Sequence, residues 1–186
     1  MVFINDTQLS LRATAALVNT LPRTSAGTAD TLIERADLDD FLADFAFTGA
    51  IVRDDTELQE IRAIRPRLRR LWDLERDEAV EHVNAMLRDG DAQPQLVIHD
   101  DYDWHIHATP GDAPLATRIL VEAAMAFVDV IRADAYDRVR VCEADDCAAV
   151  YVDFSKNGSK RYCDTGNCGN RMNVIAYRRR KAAGTA

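Results

Sequence analysis

The sequence predicts a mainly α-helical protein with one small β-hairpin, followed by a short C-terminal module that contains every cysteine. At 186 residues and 20.8 kDa, the chain has room for one sizeable core and a small appendage. Apolar residues recur at helical spacing through most of residues 8–133. The composition, 47% hydrophobic and 29% charged, is that of a globular protein and excludes a disordered or membrane-embedded chain.

Four amphipathic helices are predicted in the first half of the chain. Their apolar positions recur every three or four residues, and turn residues or prolines separate them. They cover residues 8–20, 38–48, 56–71 and 76–89. Asp37 is the predicted cap of the second helix, Pro66 should kink or break the third, and Gly90 should end the fourth.

A small hairpin and one long helix complete the predicted N-terminal domain. Alternating side chains predict short strands over residues 95–99 and 103–109. Residues 113–133 are apolar on most sides, so we expect them to form the central buried helix, capped by Asp112. Residues 136–141 then lead into the C-terminal module as a strand or tether.

His105 and His107 are the candidate ligand-binding residues of this domain. Alternation places their imidazoles on one face of a strand, and Trp104 and Ile106 on the other. A half-exposed strand has this pattern without any ligand, and we favour that interpretation. The alternatives are a pocket for a small-molecule effector and, with His99 and nearby carboxylates, a metal site.

The four cysteines form two pairs with identical spacing. Cys142 and Cys147 are separated by four residues, as are Cys163 and Cys168, and fifteen residues lie between the pairs. This spacing is typical of structural zinc sites, in which two short loops each supply two thiolates to a tetrahedral Zn2+. Four thiolate ligands leave the metal no open position for water or substrate. Disulfides are the less favoured alternative, because a reducing cytosol opposes them.

The residues between and after the cysteine pairs predict a hairpin and a helix. Residues 149–154 form the first strand, Asn157-Gly158 the turn, and residues 160–163 the second strand. Residues 170–183 contain neither proline nor glycine and have helical spacing, so the last cysteine falls at the first turn of a helix. A knuckle, a hairpin and a ligand-bearing helix make a treble-clef-like zinc finger.

This module resembles the CGNR zinc finger family. The similarity lies in Cys142-Glu-Ala-Asp-Asp-Cys147, in Asp153, Ser155 and Asn157, in Lys160-Arg-Tyr-Cys163, and in Cys168-Gly-Asn-Arg171. In that family the finger usually follows a domain called ABATE, a proposed stress-induced transcription regulator. Two segments are similar to ABATE motifs: Leu17-Val-Asn-Thr-Leu21 and Trp104-His-Ile-His107.

The resemblance implies both an architecture and a role. It implies a helical ABATE-like domain over residues 1–138 and a finger with structural Zn2+ over residues 139–186. It also implies a DNA-binding transcription regulator whose N-terminal domain senses a ligand or a partner.

Charge is distributed unevenly along the chain. The net charge is −8, yet the last 33 residues hold eight Lys and Arg against a single acidic residue, Asp164. A basic tail on an acidic body indicates an anionic partner, and we expect DNA. The candidate contacts are the cations of the hairpin and the last helix: Lys160, Arg161, Arg171, Arg178, Arg179, Arg180 and Lys181.

Two residues beside the last cysteine have a second candidate role. Asn170 and Arg171 lie at the start of the finger helix, where their side chains can hydrogen-bond the zinc-bound sulfurs or the hairpin backbone. We prefer this role for Asn170. For Arg171 this role and DNA contact both stay open.

Other function classes are less favoured. The chain has no P-loop, dinucleotide-binding fingerprint, GxSxG elbow or HExxH helix, so we expect a protein that is not an enzyme. The arginines of the third helix have many acidic neighbours, which indicates a solvated, salt-bridged face. They are Arg62, Arg65, Arg67, Arg69 and Arg70.

The main alternative to DNA binding is a finger that docks on a protein partner or on the acidic body of its own chain. A single finger usually binds DNA weakly, which makes a homodimer plausible. No signal peptide or membrane span is recognised, so we expect a cytoplasmic protein without membrane contact.

Overall fold

Six α-helices and two two-stranded antiparallel sheets form the part of the chain that the computed structural model describes, residues 3–22, 29–99 and 102–184. The helices are α1 (Asn5–Val18), α2 (Arg35–Asp44), α3 (Asp55–Arg69), α4 (Arg76–Asp89), α5 (Leu115–Arg132) and α6 (Cys168–Ala182). The strands are β1 (Gln95–His99), β2 (Tyr102–His107), β3 (Val139–Val141) and β4 (Val150–Val152). Short 3-10 turns follow α3 at Arg70–Trp72 and precede β3 at Tyr136–Arg138. The predicted fold class, mainly α with small β-hairpins, is confirmed.

Helix α5 lies at the centre of the hydrophobic core, as predicted. It packs against α1, α3 and α4, and both Val121 and Phe127 are fully buried. Trp72 meets the Phe127 ring edge-on, with 5.4 Å between the ring centroids. Each large apolar side chain buried in this way contributes roughly 1.5–3 kcal/mol to folding. The described helices include none that is both long and apolar enough to cross a membrane.

The predicted start of α5 is wrong. The helix begins at Leu115 after Pro114, and Asp112 does not cap it. Ala113 instead donates its amide to the Pro110 carbonyl, so the segment before the helix forms a separate turn. Proline suits this boundary because it has no amide hydrogen that needs a partner.

Helix α2 starts earlier and ends earlier than predicted. Glu34 is its N-cap, and Asp37 is the third helical residue of a capping box, in which each side chain accepts from the other residue's backbone amide. The helix stops at Asp44 because the chain turns extended at Phe45, whose ring packs 5.3 Å from that of Phe41. Residues 45–48 then form neither helix nor strand.

Pro66 does not break α3. The helix runs through it to Arg69 and tightens into a 3-10 turn only afterwards. Proline has no amide to donate to the Arg62 carbonyl, and that carbonyl instead accepts from Arg65 Nε at 3.3 Å. The side chain thus replaces the backbone bond that the proline removes.

The arginines of α3 form a salt-bridged surface with one buried exception. The ion pairs are Arg62 and Arg65 with Asp30, Arg67 with Asp89, and Arg69 with Asp73. The Arg65 side chain is only 3% exposed and binds both Asp30 oxygens at 2.7 Å. This bidentate pair ties the segment before α2 to α3.

The two hairpins differ in what they pack against. Strands β1 and β2 pair with Leu96 opposite Ile106, and a bulge interrupts the register between Val97 and His99. Strands β3 and β4 pair with Arg140 opposite Tyr151, and all three residues of β4 are buried. The second sheet is therefore joined to the helical core.

The predicted partner of β4 is wrong. Residues 160–163 form no strand, and β3 pairs with β4 instead. The Lys160 carbonyl accepts from the Tyr151 hydroxyl at 2.7 Å and from Arg140 Nη1 at 3.0 Å. Side-chain bonds of the β3–β4 hairpin therefore hold residues 160–163 where a strand ladder was expected.

Candidate metal centre and ligand pocket

The four cysteine sulfurs meet at one point. Their Sγ atoms all lie within 4.8 Å of one another, and three of the four side chains are buried. Cys163 Sγ lies 3.8 Å from Cys147 Sγ and 3.7 Å from Cys168 Sγ. A regular tetrahedron with metal–sulfur distances near 2.3 Å has edges of about 3.8 Å. The four thiols could therefore hold a metal ion, and their soft, closed donor set fits Zn2+.

Two short loops and one helix end position the sulfurs. Cys142 follows β3, and the loop to Cys147 closes by a bond from the Cys147 amide to the Ala144 carbonyl. The Cys163 amide lies 3.4 Å from Cys142 Sγ and donates to it. Cys168 is the first residue of α6. Cys168, the predicted ligand in the first turn of the finger helix, thus lies at the start of α6.

The turn before α6 depends on small residues. Asn167 adopts the left-handed conformation with φ +50°, which asparagine tolerates better than most residues. A Cβ on Gly166 would lie 3.2 Å from Cys168 Sγ, closer than ordinary contacts. A larger side chain at position 166 would therefore press on the sulfur cluster.

Asp153 organises the loop between β4 and the second cysteine pair. Its side chain is fully buried, and its carboxylate accepts from the Ser155 amide at 2.8 Å and the Lys160 amide at 2.7 Å. Burial opposes ionisation, but these hydrogen bonds outweigh it and lower the pKa of Asp153. The carboxylate thereby fixes the path on which the chain returns to Cys163.

Arg171 touches the sulfur cluster directly. Its Nη2 donates to Cys168 Sγ at 3.2 Å, and its Nη1 donates to Asp146 at 2.5 Å. Asn170 instead donates to Asn167 Oδ1 at 2.8 Å. This partner differs from the predicted ones, which were a zinc-bound sulfur and the hairpin backbone. A hydrogen bond to a metal-bound sulfur stabilises the thiolate and orients it.

Comparison with known families accounts for both parts of the chain. The CGNR zinc finger model matches residues 138–181, which contain all four cysteines. The ABATE model, described as "Putative stress-induced transcription regulator", matches residues 11–134, about two thirds of the chain. The chain belongs to the ABATE family. A search of curated proteins returned no significant match.

The CGNR finger is fastened to the ABATE part by side chains that bond its backbone. Trp72 Nε1 donates to the Tyr151 carbonyl at 3.0 Å, and Arg69 Nη1 donates to the Ala148 carbonyl at 2.9 Å. Strand β4 also contributes Val150 and Val152 to the main hydrophobic core. The division into domains over residues 1–138 and 139–186 stays a prediction, because the two parts share this core.

Three of the predicted DNA-contacting cations are paired with carboxylates of the finger. Lys160 lies 2.5 Å from Asp164, Arg161 lies 2.7 Å from Glu143, and Arg171 pairs with Asp146 as described above. The other four occupy the last turns of α6, where every side chain is exposed: Arg178, Arg179, Arg180 and Lys181. The structure thus places four of the seven predicted cations together on the exposed end of α6.

A pocket of about 430 Å3 lies in the ABATE part, between α1, α5, β2 and the extended segment 45–48. Both His105 and His107 line it, and their Nε2 atoms are 3.0 Å apart. In such a contact one ring nitrogen donates and the other accepts. The only group of three or more potential metal ligands among the described residues is the cysteine cluster. The His99 side chain and Asp101 lie outside the described residues.

Sequence reasoning missed the carboxylates of this pocket. Glu122 and Asp129 on α5 line it together with Asp6 on α1. Burial, and to a lesser extent the nearby Asp6 carboxylate, raise the pKa of Glu122 to about 7. Asp129 accepts a hydrogen bond of 2.5 Å from the Thr7 hydroxyl. The sequence did contain a signal for two of them. Glu122 and Asp129 are seven residues apart, a spacing that places both acids on one face of an otherwise apolar helix.

Arg118 holds one wall of the pocket in place. It is a buried residue of α5, and its guanidinium donates to the backbone carbonyls of Thr48 and Ala50. Burial lowers the pKa of Arg118. The contacts fix the extended segment 45–48 against α5, so the pocket is shaped by the fold rather than by a loose loop.

Proposed function

We propose that the protein is a zinc-dependent, DNA-binding transcription regulator and is not an enzyme. The observation that carries this proposal is the projection of α6 from the cysteine cluster. Cys168 is buried and Met172 packs beside the sulfurs, whereas every residue from Ala176 to Gly184 is exposed. The metal-holding cluster thus presents a cationic helix end to the solvent.

The exposed face of α6 suits a nucleic acid. At about 100° per residue, Arg178 and Lys181 lie on the same side as Val174 and Tyr177. Val174 is 46% exposed and Tyr177 54% exposed. Arginine and lysine supply the attraction to phosphates, and an α-helix of this kind fits the major groove.

Zn2+ has a structural role in this proposal. A module of about 45 residues has too little core to fold alone, and metal binding supplies part of its folding free energy. Here the ion would be held by Cys142, Cys147, Cys163 and Cys168, and β4 would help by packing on the helical core. The metal would fix the direction of α6 without reacting with any substrate.

The ABATE part supplies the sensing role. Its pocket contains His105 and His107 and is large enough for a small-molecule effector. Helix α1 lines the pocket near its start and reaches β4 of the finger at its end. A ligand that shifts α1 would therefore act on the finger. We place this activity in the cytoplasm, where a cysteine zinc site stays reduced.

The experiment is fluorescence anisotropy of the zinc-loaded protein on random duplex DNA across a salt series. One variant replaces the four terminal cations of α6 with alanine. The matched control removes four exposed arginines of the helical part, and these are Arg35, Arg70, Arg88 and Arg132. Both variants change the net charge equally, so only the position of the lost charge differs.

We expect the affinity to fall steeply with salt, with a slope of about −0.9 for each phosphate contacted. The α6 variant should bind more weakly with a shallower slope, and the control variant should retain the wild-type slope. Absence of binding at low salt with zinc fully bound contradicts the proposal. An equal loss of DNA affinity in both variants would show that total charge, and not the end of α6, determines binding, which also contradicts the proposal.

A protein-docking finger is the second candidate. Val174 and Tyr177 expose apolar surface on a helix that packs only through its first turns. The helical part of the chain also carries a large negative charge that opposes DNA. If the anisotropy experiment shows no binding, α6 is best treated as a docking helix for a protein partner or for a second copy of the chain.

A further inference from the structure

We propose that the ABATE pocket binds a small organic cation with an apolar body, such as an aromatic or alkyl amine. The inference names the class of ligand that the proposed sensing role requires. It rests on the proposed function only for that sensing role. It depends on the charge, the apolar lining and the size of the pocket.

The charge of the pocket is strongly one-sided. Its lining includes the four carboxylates Asp6, Asp44, Glu122 and Asp129, and among the described residues no lysine or arginine lines it. The histidine pair is the only other titratable group among the lining residues. An anionic ligand would meet four carboxylates without a compensating cation, whereas a ligand ammonium group would be attracted to them.

Glu122 is the best placed of these carboxylates to bind a cation. It is partly buried, and within the described residues no hydrogen bond or ion pair reaches its oxygens. Asp129 differs because the Thr7 hydroxyl already donates to it. Arg118 on the same helix attracts Glu122 electrostatically without forming an ion pair with it. These oxygens are therefore open to a hydrogen bond from a ligand N–H donor.

The remaining wall of the pocket fits an apolar body. Phe45, Phe47 and Met125 line it, and Trp104 stands at its edge with 64% of its surface exposed. Aromatic rings bind organic cations through their faces, and tryptophan does so best. A volume of about 430 Å3 lies within the range of pockets that enclose small organic ligands.

Three probes with one apolar body and different head groups test the proposal: phenylbutylamine, phenylbutanol and phenylbutanoate. Their affinities are measured by isothermal titration calorimetry on the full-length, zinc-loaded protein at about pH 8, where Glu122 is mostly ionised. The variants are Glu122→Gln, Trp104→Ala and the control Glu60→Gln, an exposed carboxylate on α3. Circular dichroism checks that each variant is folded.

We expect the amine to bind best, the alcohol weakly and the carboxylate not at all. Glu122→Gln should weaken amine binding about tenfold, since it removes a charged hydrogen-bond partner. Trp104→Ala should weaken both amine and alcohol, and Glu60→Gln should change neither. The exposed Trp104 can be truncated without disturbing the core, so this variant remains informative if Glu122→Gln unfolds.

Two results would overturn the proposal. The first is binding of the carboxylate as tight as that of the amine. The second is absence of amine binding at millimolar concentration. Because no DNA is present, failure here leaves the regulator proposal standing, and failure of the DNA experiment leaves this one standing.

Discussion

Asn19 and Val150 hold each other through two reciprocal hydrogen bonds. The Asn19 amide donates to the Val150 carbonyl at 2.8 Å, and the Val150 amide donates to Asn19 Oδ1 at 2.8 Å. Asn19 closes α1, the helix whose first turns line the ligand pocket, whereas Val150 begins β4 of the finger. The relationship places the pocket near one end of α1 and strand β4 of the finger at the other.

Asn19→Ala should weaken the attachment of β4 to the helical core, where Val150 and Val152 remain packed. It leaves the amide and carbonyl of a buried strand residue without partners, at a cost of roughly 2–4 kcal/mol. Hydrogen exchange should show the Val150 amide losing protection, whereas the control Asn5→Ala, at an exposed residue of the same helix, should leave it protected. Unchanged protection in Asn19→Ala would mean that packing and the other hydrogen bonds of β4, such as that from Trp72, hold it.

Arg171→Ala should weaken zinc binding roughly 10- to 100-fold, because the guanidinium supports the Cys168 sulfur. Competition with a fluorescent zinc chelator measures the affinity. Arg178→Ala removes an equal charge two helical turns away and should leave zinc affinity unchanged. If Arg171→Ala retains zinc and loses only DNA affinity, its role is nucleic-acid contact.

Asp30→Asn should destabilise the protein by about 3 kcal/mol, because it leaves the buried Arg65 without its ionised partner. The Arg65 hydrogen bonds lower the pKa of Asp30 to about 2. The stability that this pair contributes is therefore present above about pH 4 and is lost as the pH falls towards 2. Urea unfolding at several pH values measures it.

The control for this pair is Asp89→Asn, whose partner Arg67 lies at the surface and whose own side chain is 61% exposed. Exposed ion pairs contribute less than about 1 kcal/mol, so this variant should stay near wild type. Equal losses in the two variants would contradict the assignment of Arg65 as a buried anchor.

Glu122→Gln should stabilise the protein at high pH and not at low pH. Burial raises the pKa of Glu122 to about 7, so the protonated form is favoured in the folded state. Wild-type stability is fully present below about pH 4.5 and declines as the pH rises through 7. The glutamine variant should be more stable by roughly 1–2 kcal/mol at pH 8 and equal at pH 5.

Thermal unfolding at the two pH values measures the effect, with Glu60→Gln as the exposed control. A stabilisation of the Glu122 variant that does not depend on pH would show that the pKa of Glu122 is the same in the folded and unfolded chain. A destabilisation at pH 8 would show that an ionised Glu122 has a stabilising partner in the folded protein.

The elements predicted most accurately are those whose structure depends on residues close together in the sequence. Helix α4 spans the predicted residues because its apolar spacing is regular and Gly90 follows it directly. The packing adds a reason for that glycine, since a Cβ there would lie 2.2 Å from a Val121 methyl group. The cysteine spacing predicted the convergence of the sulfurs in the same way, because each short loop brings two of them together.

The errors have a common origin in contacts between distant parts of the chain. The pairing of β4 depends on Tyr151 and Arg140 bonding the Lys160 carbonyl. The early end of α2 leaves residues 45–48 to meet α5, where Arg118 bonds the Thr48 carbonyl. Neither partner choice has a local signature, because the same residues suit several arrangements until the core selects one.

The sequence by itself determined the helical fold class, the family and the spacing of the four cysteines, since these follow from periodicity and motifs within short segments. Only the tertiary structure decided that β4 joins the helical core, that Arg171 bonds a cysteine sulfur, and that Asp6, Glu122 and Asp129 share a pocket with the histidine pair. The physical reason is that burial and hydrogen bonding between distant residues are properties of the packed chain. They arise when α1 and α5 pack together, and the spacing of residues along either helix does not specify them.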